Sequence, residues 1–335
     1  MYFLNFEIPI RKYHNSYFFN FYYINITIVK LNGKINHMKL NSNLKKEYRQ
    51  GEKMAKDYHV IEALGKTEVV IENGEVTSVG EPLVDFCPIF FKIDGAEHLT
   101  RDFIKWNMEK RIREFGMCTP QRVVKMEDFM SFGISEILRT NLELGLIDCV
   151  VGVCEGVGTL LMTDPEIIQG VGGRVSALIS TTPIPEVIER VGIENVLNPE
   201  TADLDPIKGL EMAIERGYKN IAITILPSKS IEEIGQYSLP DGVNTYMFVA
   251  HTTNASLKEV ETAFKYCEVI TACSSKNVRD YAEKEKSYYS GSKIPIIAIT
   301  EKGKEFLDNR LEKIGKPRTI NDYPMNKDEH SKPLV

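Results

Sequence analysis

The stretch Val150–Thr159, VVGVCEGVGT, runs from an apolar strand straight into a glycine-rich turn. Three readings compete for it: a cradle for phosphate, a socket for a metal, or a tight corner of the chain. Gly156 and Gly158 permit positive φ and close backbone approach, which suits an anionic ligand over backbone N–H groups. The third glycine of a dinucleotide fingerprint is missing, because Leu161 stands in its place.

The chain beyond this turn sets the fold class. Asp148–Val153 leads to helical patterns near Pro165–Ile168 and Pro185–Val191. Ile221–Leu226 precedes Ile231–Gln236, and Tyr246–Ala250 precedes Leu257–Phe264. Val269–Ala272 is followed by Asn277–Lys284, and Ile294–Ile299 by Lys302–Lys313. Strand, turn and helix in steady alternation predict a parallel sheet flanked by helices, an α/β, Rossmann-like domain over 148–314. Asp164–Pro165 and Asp205–Pro206 start helices, the acid as cap and the proline in the first turn.

The preceding region, 38–147, reads as a smaller α+β unit. Asn73–Gly74 lies between alternating apolar segments and predicts a β-hairpin. Gly65–Lys66–Thr67 looks like the tail of a phosphate-binding loop, but Val60 replaces the earlier glycine and a strand follows, so that motif is rejected. Helices are expected over Lys39–Lys56, over Thr100–Phe115 with Phe103, Met108, Ile112 and Phe115 as its buried stripe, and over Met126–Leu144. Residues 315–335 are polar and proline-containing and read as a loose tail.

Residues 1–37 differ in character. Tyr17–Val29 mixes aromatics, Ile and Asn without order, and is too short to span a bilayer. The expectation is a non-native upstream extension or a disordered segment, with translation starting at Met38 or Met54. The remaining sequence contains no membrane segment, so the reading is cytoplasmic. The net charge of −6 gives no support to a nucleic-acid partner. Residues 1–54 carry +6 and the rest −12.

If the strands are parallel, their carboxyl ends share one rim, where ligands bind. The rim then holds Cys154 and Glu155, Ser228 and Ser230, His251 and Thr252, Cys273 and Ser274, and finally Thr300 and Glu301. Six cysteines in an intracellular chain read as thiols or ligands rather than disulfides. Cys149 and Cys267 sit in apolar settings and read as small buried residues. Cys87, Cys118, Cys154 and Cys273 lie in turns and make a candidate metal set for zinc or an iron–sulfur cluster, with Cys154, His251, Cys273 and Glu155 as the candidate reactive groups. Gly156, Gly158, Thr159, Gly172, Gly173, Arg174, Thr252 and Ser274 are the candidate cofactor-binding residues, for a nucleotide or another small anion. His59 reads as structural.

Several segments together resemble the methanogenesis marker protein 8 family: HVIEALGKTEVVIENGEVTSVGEPLVDFCPIF, FGMCTPQRVV, FGISEIL, TDPEIIQGVGGRVSALISTTPIPEVIERVG and TACSS. The resemblance runs from Tyr58 to Leu307. It implies a place in methane-producing archaea, an anaerobic setting rich in iron–sulfur and nickel chemistry, and it transfers no residue roles. The expectation is a methanogenesis-associated protein that matures or activates enzyme or cofactor machinery through a thiol or metal site. Its partners would be methanogenesis enzymes or their assembly factors, with no nucleic acid and no membrane; a homo-oligomer is left open. The alternatives are a nucleotide- or anion-binding enzyme using the glycine-rich loops, and a non-catalytic assembly partner.

Overall fold

The computed structural model describes residues 57–335 except 129, 175, 176, 292, 320, 322 and 326–329. The expectations for residues 1–37 and for a helix over Lys39–Lys56 fall outside the described residues. The chain enters as β1 (Tyr58–Glu62), β2 (Glu68–Glu72) and β3 (Glu75–Val79), followed by α1 (Pro88–Asp94), α2 (Arg101–Phe115) and α3 (Ile134–Glu143). Next come β4 (Cys149–Cys154), β5 (Gly158–Met162), α4 (Pro165–Gly172), β6 (Ala177–Thr181), α5 (Pro185–Val191) and α6 (Pro206–Glu215). Alternation then takes over with β7 (Asn220–Ile225), α7 (Ser230–Gly235), β8 (Asn244–Val249), α8 (Leu257–Tyr266), β9 (Val269–Thr271) and α9 (Lys276–Glu285). The short strands β10 (Tyr288–Ser290) and β11 (Ile296–Ala298) precede the last helix, α10 (Glu301–Lys313).

Local signals account for most boundaries. Asn73 and Gly74 both take positive φ and turn β2 into β3. The Thr100 hydroxyl accepts from Phe103 N–H at the start of α2, and Gly116 closes that helix at φ +63°. The buried stripe of α2 is Ile104, Asn107 and Met108, while Phe103, Ile112 and Phe115 are half-buried. The helix expected from Met126 starts only at Ile134. Tertiary contacts claim the intervening backbone: Met126 N–H donates to Glu166 O, and Met130 N–H donates to the Glu136 carboxylate.

Seven strands form the large sheet in the order β10-β11-β9-β8-β7-β4-β5. The pairs β4–β7, β7–β8 and β8–β9 are parallel, whereas β4–β5, β9–β11 and β10–β11 are antiparallel. The architecture is therefore mixed α/β, and the expected all-parallel sheet is corrected at both edges. Strands β7, β8 and β9 are added successively to one side of β4, so the order does not reverse within the parallel block. No switch-point crevice arises there. Alternating side chains feed two cores. Val150, Ala222 and Phe248 pack under α3, α4, α5 and α10. Val151, Ile223 and Val249 pack under α6, α7, α8 and α9.

The second sheet is antiparallel, in the order β3-β2-β1-β6. Its fourth strand comes from well along the chain, between α4 and α5. A third core under this sheet joins Ile61, Val69, Ile71, Leu178 and Cys118, with Val153 of β4 packed against it. The end of the tail is also placed. Expected as loose, it instead pairs Lys332 with Phe86 and gives a hydrogen bond from Val335 N–H to Ser274 O at 3.0 Å.

Glu268, just before β9, ties that strand to the middle of β8, accepting from Met247 N–H at 2.6 Å. Burial pushes its carboxyl up to about 7 from an ordinary 4.5. The folded chain thus retains a proton that the unfolded chain has lost, and stability falls as pH rises through that window. Glu268→Gln is expected to be about 3 kcal/mol more stable than the parent at pH 8 and to match it near pH 4. Urea denaturation at both pH values checks this; equal stability at pH 8 would refute it.

Candidate functional site

The four parallel strands point the same way, so Cys154, Ser228, His251 and Cys273 do follow their carboxyl ends. Thr300 and Glu301 do not join them, because β11 runs antiparallel to β9 and delivers its end to the opposite edge. There Thr300 serves as the cap of α10, accepting from Gly303 N–H. The rim that remains is partly covered by the small sheet.

The glycine-rich stretch is a hairpin corner. Cys154 pairs with Gly158 across it, and the chain returns as β5 rather than entering a helix. Its amides are already committed: Gly156 N–H donates to Thr181 Oγ1 at 2.8 Å, Val157 N–H to Cys154 O and Thr159 N–H to Asp203 O. The glycines serve packing. A Cβ on Gly156 would lie 2.8 Å from Ile184, and one on Gly158 would lie 2.3 Å from the Ala202 carbonyl. The cradle geometry raised for Gly156, Gly158 and Thr159 is corrected accordingly; the Thr159 hydroxyl accepts from Asp205 N–H. Gly172 and Gly173 end α4, and Arg174 stacks on the Phe115 ring at 3.9 Å.

Behind the corner lies a polar cluster sealed from water. Arg122 Nε donates to Glu155 Oε1, and both side chains are 0% exposed. Arg122 Nη1 donates to Val123 O, while Arg190 donates to Arg122 O and Pro120 O. His59 Nδ1 lies 2.7 Å from Thr181 Oγ1, the same hydroxyl that holds the Gly156 amide. Burial lowers the His59 imidazole below its ordinary value, opposed by the nearby Glu155 charge. Among the described residues, Arg122 Nη2 and His59 Nε2 find no hydrogen-bond partner.

The thiols separate into two pairs. Cys118 and Cys154 flank the sealed ion pair, and burial together with the Glu155 charge pushes both thiols well up. They are neutral and closed to solvent. Cys87 and Cys273 are half-buried, and are the only ones of the six free cysteines that are not fully buried. Burial raises the Cys87 thiol, with a smaller push from the Cys273 charge, opposed by N–H groups of Phe90 and Ile89. Thr271 Oγ1 lies 3.5 Å from Cys273 Sγ. The buried Arg279 guanidinium also feels Cys273; its Nη2 donates to Ala272 O at 2.9 Å and its Nε has no protein acceptor among the described residues.

His251 follows β8 and takes φ +56°. Its Nε2 is 3.2 Å from Glu62 Oε2, an ion-pair distance without hydrogen-bond alignment. That contact holds the Glu62 carboxyl below its ordinary value. Thr252 Oγ1 donates to Thr271 O at 2.6 Å, tying the His251 loop to the Cys273 loop, and Ser274 Oγ donates to Pro333 O at 2.5 Å. Among the described residues no three His, Cys, Asp or Glu side chains converge to hold a metal. The four-thiol set therefore does not fit a closed zinc site or an iron–sulfur cluster. Cys149 and Cys267 lie in the core under α6–α9.

Sequence reasoning missed Arg122, Arg279 and Glu62. A single charged residue in a loop, strand or helix carries no local mark of its burial or of its partners in the fold.

Glu155→Leu should cost about 3–5 kcal/mol in chemical denaturation by stranding a buried guanidinium, while Arg122→Met with Glu155→Leu should regain most of that loss. A single-variant cost below about 1 kcal/mol would contradict the pairing. Iodoacetamide on the native, reduced chain should label Cys87 and Cys273 and spare the other four cysteines, as read by peptide mass spectrometry. Labelling of Cys118 or Cys154 at a comparable rate would count against the partition.

Comparison with known proteins places this chain in a family. The model described as "Uncharacterized protein conserved in archaea (DUF2099)" matches residues 59–312. An "uncharacterized protein" of Methanocaldococcus jannaschii is 38% identical over 285 residues, covering 83% of this chain and 100% of that protein. No solved structure matches. Among the described residues, no helix is long and apolar enough to cross a membrane.

Proposed function

The chain belongs to this conserved archaeal family, and from that premise we propose that it serves methane-producing metabolism by carrying a soft metal ion on the Cys87–Cys273 pair. The metal is cargo, delivered to enzyme or cofactor machinery. One observation supports the reading: the only two cysteines that are not fully buried come from distant parts of the chain, on segments joined through hydrogen bonds to Lys332, Pro333 and Val335. The methanogen source of the similar protein and the resemblance to methanogenesis marker protein 8 supply the metabolic setting.

The chemistry stems from ligand number. A structural site closes four positions around zinc, whereas two thiolates leave positions open for a recipient's ligands. Sulfur selects soft or borderline ions over magnesium and calcium. Two thiolates side by side repel each other, and the Arg279 guanidinium beside Cys273 offsets part of that repulsion. Loading releases the thiol protons, so affinity rises with pH.

Anaerobic titration of the reduced, metal-free chain with Zn(II) is expected to load about one ion per chain at the two-thiol site. Cys87→Ser and Cys273→Ser should each weaken binding about tenfold or more, whereas Cys118→Ser and Cys154→Ser should leave it unchanged. Retention of full affinity in both Cys87→Ser and Cys273→Ser would remove the proposal.

A further inference from the structure

The two loops that carry the half-buried thiols are bridged by a strap of chain, Ser331–Val335, which runs between them. On one side Phe86 N–H donates to Lys332 O at 2.9 Å, Asp85 N–H donates to the same oxygen at 2.8 Å, and Lys332 N–H returns a bond to Phe86 O at 3.0 Å. On the other side Ser274 Oγ donates to Pro333 O, Val335 N–H donates to Ser274 O, and Lys276 N–H donates to Val335 O at 2.9 Å. The Val335 side chain packs on the third core, as Cys87 does.

The kind of contact matters more than the number. The bonds to Lys332, Pro333 and Val335 are made by their backbone, while the Lys332 and Pro333 side chains are exposed. Recognition through main-chain pairing plus one aliphatic anchor is the mode by which sheet edges take up extended peptides. Such a slot reads chain conformation and one side chain, not a full sequence.

We infer that the slot between Asp85–Cys87 and Cys273–Lys276 is a binding site for an extended peptide, filled here by the chain's own Ser331–Val335. Its external partner is a client protein presenting an extended segment with an aliphatic residue at the position of Val335. A client that replaces the strap brings its own ligands beside Cys87 and Cys273. This consequence rests on the metal-carrying reading; the slot itself does not.

The test reads thiol access on the full chain without metal. Val335→Asp places a charge where the aliphatic anchor packs and is expected to speed iodoacetamide labelling of Cys87 about tenfold; the synthetic pentapeptide Ser-Lys-Pro-Leu-Val at millimolar concentration, comparable with a tethered segment, should slow it again. Ser274→Ala, which removes one bond to the strap, should act in the same direction to a smaller extent, and circular dichroism melting establishes that each variant is folded. Unchanged labelling in both folded variants would overturn the strap as occupant. Acceleration with no slowing by the pentapeptide would overturn the slot. Because no metal is present, these failures are distinct from loss of Zn(II) binding in the cysteine variants, which would sink the proposed function instead.

Discussion

A guanidinium and a carboxylate that are both removed from water dominate the centre of this protein. Arg122 and Glu155 cost several kcal/mol each to desolvate, and only their mutual contact makes that burial tolerable. The pair holds the loop after α2 against the β4–β5 corner. Thr181 then links the same corner to His59 across the small sheet. Hairpin, loop and second sheet meet at one place because these charges cannot be separated without stranding one of them.

That arrangement also decides which thiols can react. Cys118 and Cys154 share the sealed space with Glu155, where a thiolate would add negative charge next to a carboxylate in a medium that screens poorly. They behave as small apolar residues. Cys87 and Cys273 lie on segments joined by a strap held mainly by backbone bonds, with the buried Arg279 guanidinium acting on Cys273. The chain therefore carries one inert pair of thiols and one half-buried pair. The difference between them is solvation rather than residue type.

Much of the secondary structure was legible from local rules. Thr100 and Gly116 bracket α2, Asp164 and Asp205 cap α4 and α6, and Asn73–Gly74 turns the hairpin. The strand positions from Ile221 onward were also readable, because apolar runs bounded by helical patterns are distinctive. Strand direction was not readable. A short run such as Ile296–Ala298 looks the same whether it pairs parallel or antiparallel, and β11 took the antiparallel option. The return strand β5 was hidden for a related reason: GTLLM is fully buried and carries no alternation. At the site, the rim positions of Cys154, His251 and Cys273 were legible in the strand pattern, while their grouping was not.

By itself, the sequence determined the alternation of strands and helices, the caps and turns, and the segments in which the cysteines lie, since each of these depends on neighbours a few residues away. Only the tertiary structure decided that the glycine pair is a corner, that Arg122 is the partner of Glu155, and that six thiols divide into inert and accessible sets. The physical reason is that desolvation is not a property of a residue. It is set by whatever the rest of the chain places around that residue, and here Arg122 and Glu155 come from separate elements.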